Sequence, residues 1–296
     1  MSDFNLQYAI KSEPTYSIRG QLAQREDSWL CDMAIEPEIN INPEQDRLEI
    51  IDGIAKSLTS METLRQFLIC FKRRELDFFR EASRKHEIEG SNFELSQYGL
   101  SCANGLITLY YHDGGYVCVM PEEVRESFKK LEMTSFPTEW ERCELLRTYG
   151  RAAAELYGVI KVNDIIYIFN SQNAEQTTIF EFIKAVSGTN DVFGDPIIKK
   201  KYLYNSIFDD APWEEIMYFV NEAAQKPRYI PPKEEMLAAG EIPYIPETTQ
   251  TIAVERFLTD DIHLKRVKAE NAVGSFSSMG IGYGSVRSEA GAYTLI

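Results

Sequence analysis

The chain has little of what catalysis, secretion or membrane insertion requires. Its 296 residues include only three histidines (His86, His112, His263), none in a known catalytic signature, and no Walker A, GxSxG or HExxH segment. The Gly280-Ile-Gly-Tyr-Gly284 run lacks GxGxxG spacing and a preceding strand pattern, which argues against dinucleotide binding. Five cysteines (Cys31, Cys70, Cys102, Cys118, Cys143) are odd in number, widely spaced and free of any CxxC pair. That excludes a disulfide framework and fits reduced thiols. No run approaches the ~18 apolar residues a spanning helix needs, and Met1–Ile10 has no apolar signal-peptide region. We therefore expect a cytoplasmic, non-enzymatic protein with no cofactor and no membrane partner.

What is present is ample material for packed cores, 44% hydrophobic and 12% aromatic. Domains usually run ~100–200 residues, so two or three modules are expected. The formal charge is −15, and it is unevenly spread. Residues 1–60 hold 5 bases against 11 acids, whereas 61–131 hold 10 against 11. A negative field repels phosphate backbones and favours a cationic partner.

Along the chain, Tyr16–Arg19 and Trp29–Ile35 have the composition of short strands, and Glu36–Glu44 reads as an acidic loop. Arg47–Leu58 has helical spacing, with Leu48, Ile51, Ile54 and Leu58 on one face. Thr59-Ser-Met-Glu62 is a capping box, followed by the amphipathic stripe Leu64, Phe67, Leu68, Phe71 and a further helix over Leu76–Lys85. Ser91–Glu94 is a second capping box, opening a helix to about Cys102. The period then changes: Leu106–Tyr111 and Tyr116–Met120 are β-rich runs flanking His112-Asp-Gly-Gly115, a hairpin signal. Pro121-Glu-Glu and Lys129-Lys130 match the two ends of a helix dipole.

Helices, a hairpin and a closing helix are the order of a winged-helix module, and the pattern recurs. Thr138–Glu141 caps a helix to about Tyr157, Asn163 caps another, and Thr178–Glu181 is a capping box. Val192–Ile198 and Lys199–Tyr204 form a second hairpin. A helix follows Asp210-Ala-Pro-Trp, a short one ends at Gly240, and Thr249–Leu258 is amphipathic. The expected fold is α+β and helix-rich, with tandem winged-helix-like modules. The segments are an acidic N-terminus (1–58), a first module (59–132), a second (137–210), C-terminal helices (211–273) and a flexible Gly/Ser-rich tail (274–296).

Arg147-Thr-Tyr-Gly, Leu156–Asp164, Phe169-Asn170, Pro227–Glu235 and Met120–Val124 together resemble a diffuse group of largely uncharacterised Firmicute and phage intracellular proteins. Some members carry a Rho-N-like helical module or a zinc-binding SEC-C tail. The Cys/His cluster of that tail is absent here, so its metal is not carried over. The resemblance implies a bacterial or phage origin and no activity.

Two binding surfaces follow from the charges. The acids Glu36, Glu38, Glu44, Asp46, Glu49 and Asp52 would meet a protein with a cationic surface, as a regulatory factor or a phage inhibitor of a host defence enzyme does. Alternatively, a nucleic-acid-binding regulator would use Lys72, Arg73, Arg74 and the basic residues up to Lys85, together with Lys199, Lys200 and Lys201. The helix expected at the first module's groove-reading position, Ser91–Cys102, contains no Lys or Arg. Cys102, His112, Cys118 and Glu94 are a weak zinc set, because Cys118 lies in an alternating apolar strand. The paired acids Glu122-Glu123, Glu214-Glu215 and Glu234-Glu235 fall in first helical turns, where the dipole favours them without catalysis.

Overall fold

The computed structural model describes residues 9–89, 95–187, 195–225, 229–241, 249–264, 286–287 and 293–294. The capping box at 91–94 and most of the tail beyond 273 lie outside them. The chain forms two units, Met1–Glu141 and Arg142–Ile296.

In unit 1, helix α1 (Ile18–Ala23) starts where Ser17 Oγ accepts from Gly20 N, and α2 (Asp27–Ile35) follows closely. Both replace the strands expected at Tyr16–Arg19 and Trp29–Ile35. Burial explains the outcome: Leu30, Met33 and Ala34 recur at helical spacing and face the core. Strand-forming composition yields to that periodicity. Helix α3 (Arg47–Leu58) is capped by Asp46, which accepts from Leu48 N and Glu49 N. It buries Ile50, Ile51, Ile54, Ala55 and Leu58, whereas Leu48, expected on that face, is 73% exposed.

Helix α4 (Met61–Ile69) begins one residue later than its capping box suggests, because Ser60 rather than Thr59 accepts from Thr63 N. Its stripe of Leu64, Phe67, Leu68 and then Phe71 is buried as expected. Helix α5 (Arg73–Arg84) leads through strand β1 (Ile88–Glu89) to helix α6 (Leu95–Ala103). The hairpin of β2 (Thr108–His112) and β3 (Gly115–Val119) turns on Asp113 and Gly114, with φ of 50° and 78°. These are the positive values a two-residue turn of this hand needs. β1 adds antiparallel to β3, giving the order β1-β3-β2.

Helix α7 (Glu122–Glu132) follows Pro121 and closes a core shared by residues on both sides of position 59. There Phe79 meets Phe71 and Phe128 edge-on at 5.8 and 4.9 Å, and Trp140 Nε1 donates to Phe71 O at 3.0 Å. Each such ring contributes about 1.5–3 kcal/mol by burial alone.

Helix α8 (Phe136–Tyr157) starts before Thr138: Thr134 Oγ1 accepts from Phe136 N, and the earlier start buries Phe136. Pro137 is tolerated there because a first-turn N–H has no helical acceptor. In unit 2, strand β4 (Val159–Lys161) runs directly into helix α9 (Val162–Gln172). Asn163 does not cap α9; Lys161 holds that position without a side-chain bond, and Val162 N donates to Lys201 O at 3.0 Å. Helix α10 (Ile179–Ser187) does use Thr178 Oγ1, which accepts from Glu181 N.

Strands β5 (Ile197–Lys199) and β6 (Tyr202–Tyr204) turn on Lys200 and Lys201, so Lys199 belongs to the strand. β4 pairs antiparallel with β6, giving β4-β6-β5. Neither β1 nor β4 was expected from sequence. Helix α11 (Trp213–Ala223) packs on β4, and helix α12 (Lys233–Ala239) buries Met236 and Ala239. Helix α13 (Thr249–Arg256) continues as a π-helical turn over Phe257–Asp261, and β7 (Val286–Arg287) pairs with β8 (Tyr293–Thr294). The chain is thus helix-rich α+β with two small three-stranded antiparallel sheets. No helix among the described residues is long and apolar enough to cross a membrane.

Candidate functional site

The acidic candidates sit on the α2–α3 loop and the outer face of α3. Glu36, Glu44, Asp46, Glu49 and Asp52 are exposed and Glu38 is half-buried. Two of the six have structural duties: Asp46 caps α3, and Asp52 pairs with Arg19 at 3.0 Å. No ion pair engages Glu36, Glu38, Glu44 or Glu49 among the described residues. Two large apolar side chains on the flanking helices are also exposed, Leu48 of α3 at 73% and Ile35 at the end of α2 at 63%.

Three of the basic residues at 72–85 are paired with carboxylates. Arg73 grips Glu141 with two nitrogens at 3.0 and 2.7 Å, pulling that carboxyl below its ordinary pKa, and lies over the Trp140 ring. Arg80 bonds Glu132 and Asp77, and Lys85 pairs with Glu81 at 2.5 Å. Arg74 is exposed, and Lys72 is half-buried beside Glu75. Arg73, Arg80 and Lys85 are thus each engaged by a carboxylate within unit 1.

Sequence reasoning also missed Glu75. It is 3% exposed and accepts from Ser101 N at 2.7 Å and Ser101 Oγ at 2.9 Å, tying α5 to α6. Burial pushes its pKa up to about 7, against the opposing pull of those bonds. Helical spacing places Glu75 beside the apolar positions of α5, and a carboxylate there was a legible signal.

Burial also raises the Cys102 thiol to about 12 and pushes Cys118 up strongly. Thiols so raised are protonated at neutral pH and unreactive as nucleophiles. No group of three or more His, Cys, Asp or Glu side chains is placed to hold a metal among the described residues, and Glu94 lies outside them. His112 Nε2 lies 3.3 Å from Asp113 at the solvated hairpin tip. The residues behind the resemblance have structural partners: Arg147 and Arg151 both bind the buried Glu144, Asn170 holds Thr177, and Tyr157 donates to Tyr229 O.

The second lysine set is different. Lys199, Lys200 and Lys201 are all exposed, and Lys161, unanticipated because β4 was, is exposed as well. Register places Lys161 and Lys199 on either side of Tyr202 on one face of the sheet. Lys200 sits at φ 58°, with Nζ 4.3 Å from the Trp213 ring centroid, and Trp213 meets Tyr202 edge-on. Lys200, Lys201, Tyr202, Trp213 and Met217 border an open groove of about 360 Å³. The chain matches no protein-family model, no curated protein and no solved structure.

Proposed function

We propose that this protein is a non-enzymatic interaction factor whose acidic α2–α3 surface docks on a protein with a cationic face. The supporting observation is the exposure of Leu48 and Ile35 on the two helices joined by the loop of Glu36, Glu38 and Glu44, with Glu49 on the second of them. Acids alone serve solubility. Large apolar side chains left in water among them have no solubility role and fit the centre of a contact with a charged rim. A phage inhibitor occupying the cationic channel of a host nucleic-acid enzyme is the sharper form of this reading. The test is nuclease-treated capture from bacterial lysate, comparing the wild type, Leu48→Ser and the Glu36/Glu38/Glu44/Glu49→Lys variant. One protein retained by the wild type and lost with both variants is expected. Capture that survives charge reversal, or disappears with nuclease, sinks the proposal.

A nucleic-acid-binding regulator is the second reading, and the element order of unit 2 favours it. Helix α8, strand β4, helices α9 and α10, then the β5–β6 hairpin, with β4 beside β6, is the arrangement expected of a winged-helix-like module. Lys200 and Lys201 then occupy the wing tip. Unit 1 shares the sheet order but has α6 alone between β1 and β2 among the described residues. Duplex affinity falling with a log–log salt slope of about −0.9 per phosphate, flattened by replacing Lys199, Lys200 and Lys201 with Ala, is the expected signature. A slope unchanged by those replacements counts against it.

A further inference from the structure

Cations flank an aromatic wall at the groove beside the β5–β6 turn. Lys161, Lys199, Lys200 and Lys201 take part in no ion pair among the described residues, unlike Arg73, Arg80 and Arg142. Two of the four lie on the sheet face that carries Tyr202, which meets Trp213. Trp213 opens α11 and is half-buried, held from behind by the cluster of Val159, Tyr202, Tyr204 and Ile216. The Lys200 ammonium stands against its ring, and an ammonium can leave an indole face for a phosphate at small cost. The volume, about 360 Å³, falls within the ~300–1,000 Å³ of small-molecule sites and can take a planar ring.

We propose that this groove binds single-stranded nucleic acid, with one base stacked on Trp213 and the flanking phosphates held by Lys161, Lys199, Lys200 and Lys201. The proposal rests on the nucleic-acid reading and narrows it from a duplex to a single strand. A duplex keeps its base faces stacked inside, so it cannot use an indole platform. The α10 helix points the same way: Ile179 and Phe180 are exposed at 50% and 76%, and Lys184 is its one cation, a poor set for reading a major groove. Lys200 and Lys201 border the groove with Trp213, and Lys161 and Lys199 flank the adjoining Tyr202, so cations lie along the aromatic surface as a phosphate–base–phosphate repeat requires. An acidic peptide supplies the charge without the planar face. Asp209, Asp210, Glu214 and Glu215 border these residues in sequence, so the attraction is short-ranged and steeply dependent on salt.

The probe is a fluorescein-labelled twelve-residue thymidine oligonucleotide titrated into the full chain, beside a duplex of the same length and a fluorescein-labelled poly-glutamate peptide. The expected result is single-strand binding tighter than duplex or peptide, with a salt slope of about −0.7 per phosphate. Trp213→Leu, which keeps an apolar side chain against the cluster, should weaken it roughly five- to 150-fold. Lys199→Gln/Lys200→Gln/Lys201→Gln should flatten the salt slope and serves alone if Trp213→Leu fails to fold. Duplex binding equal to single-strand binding, or a folded Trp213→Leu variant that binds unchanged, overturns the stacking site and leaves the nucleic-acid reading standing. Poly-glutamate binding as tightly overturns the ligand class. No binding by either nucleic acid overturns both.

Discussion

Arg73 holds Glu141 through two parallel hydrogen bonds of 3.0 and 2.7 Å while its guanidinium lies 5.0 Å from the Trp140 ring centroid. Both charged side chains are about half exposed. A residue drawn from a run of bases is thereby a structural clamp within unit 1.

Arg73→Ala should cost only about 0.2–1 kcal/mol for the exposed pair, with a comparable amount for the lost ring contact. Oligonucleotide affinity should change less than twofold. Thermal melting and a titration on the same variant check this; a large loss of affinity with little loss of stability would return the 72–85 cluster to the binding surface.

Glu75 makes stability depend on pH. Its carboxyl titrates near 7 in the folded chain and near 4.5 unfolded. The fold therefore favours the protonated form. The stabilisation is complete below about 4.5 and is lost as pH rises through about 7, with a full span on the order of 3 kcal/mol. Glu75→Gln keeps an acceptor for Ser101 N and Oγ but cannot ionise. Between pH 5 and 8 the wild-type melting temperature should fall relative to that of Glu75→Gln, and parallel curves would refute the assignment.

Gly240 follows α12 at an ordinary φ of −80°, so conformational freedom does not explain it. Space does: a Cβ would stand 2.4 Å from Thr148 O. Gly240 O also accepts from Arg151 Nε at 2.9 Å. Gly240→Ala should destabilise unit 2 by about 1–3 kcal/mol through forced separation of α12 from α8, seen as a lower denaturation midpoint at unchanged slope.

Lys200 at φ 58° occupies the left-handed region at a cost of about 1–2 kcal/mol for a non-glycine residue. Lys200→Gly removes that strain, partly offset by the larger unfolded-state entropy of glycine. Stability should stay level or rise by up to about 1 kcal/mol while single-strand affinity falls. A loss of stability exceeding 1 kcal/mol would show that the contact with Trp213 outweighs the strain.

The long periodic elements were legible beforehand. Arg47–Leu58 and Glu122–Glu132 carry apolar spacing and end charges over three turns, and Asp113-Gly114 specifies its hairpin by backbone chemistry. The short ones were not. A strand of two or three residues, such as Ile88–Glu89 or Val159–Lys161, has no period to read and exists only through a partner distant in sequence. Asn163 offered a cap that went unused, because the register of Lys161 on Tyr202 delivers the chain to α9 two residues earlier.

The amino-acid sequence by itself determined the local matters: an acidic chain, helix-rich segments, the hairpin turns and the absence of familiar catalytic motifs. Those depend on residue type and on spacing within a few turns. Only the tertiary structure decided which charges remain available. Whether Arg73 faces water or a carboxylate 68 residues away, and whether Lys200 lies against an indole, depends on side chains that meet only once the core has formed. The energy differences that settle such pairings come from burial and long-range contact, which no local pattern encodes.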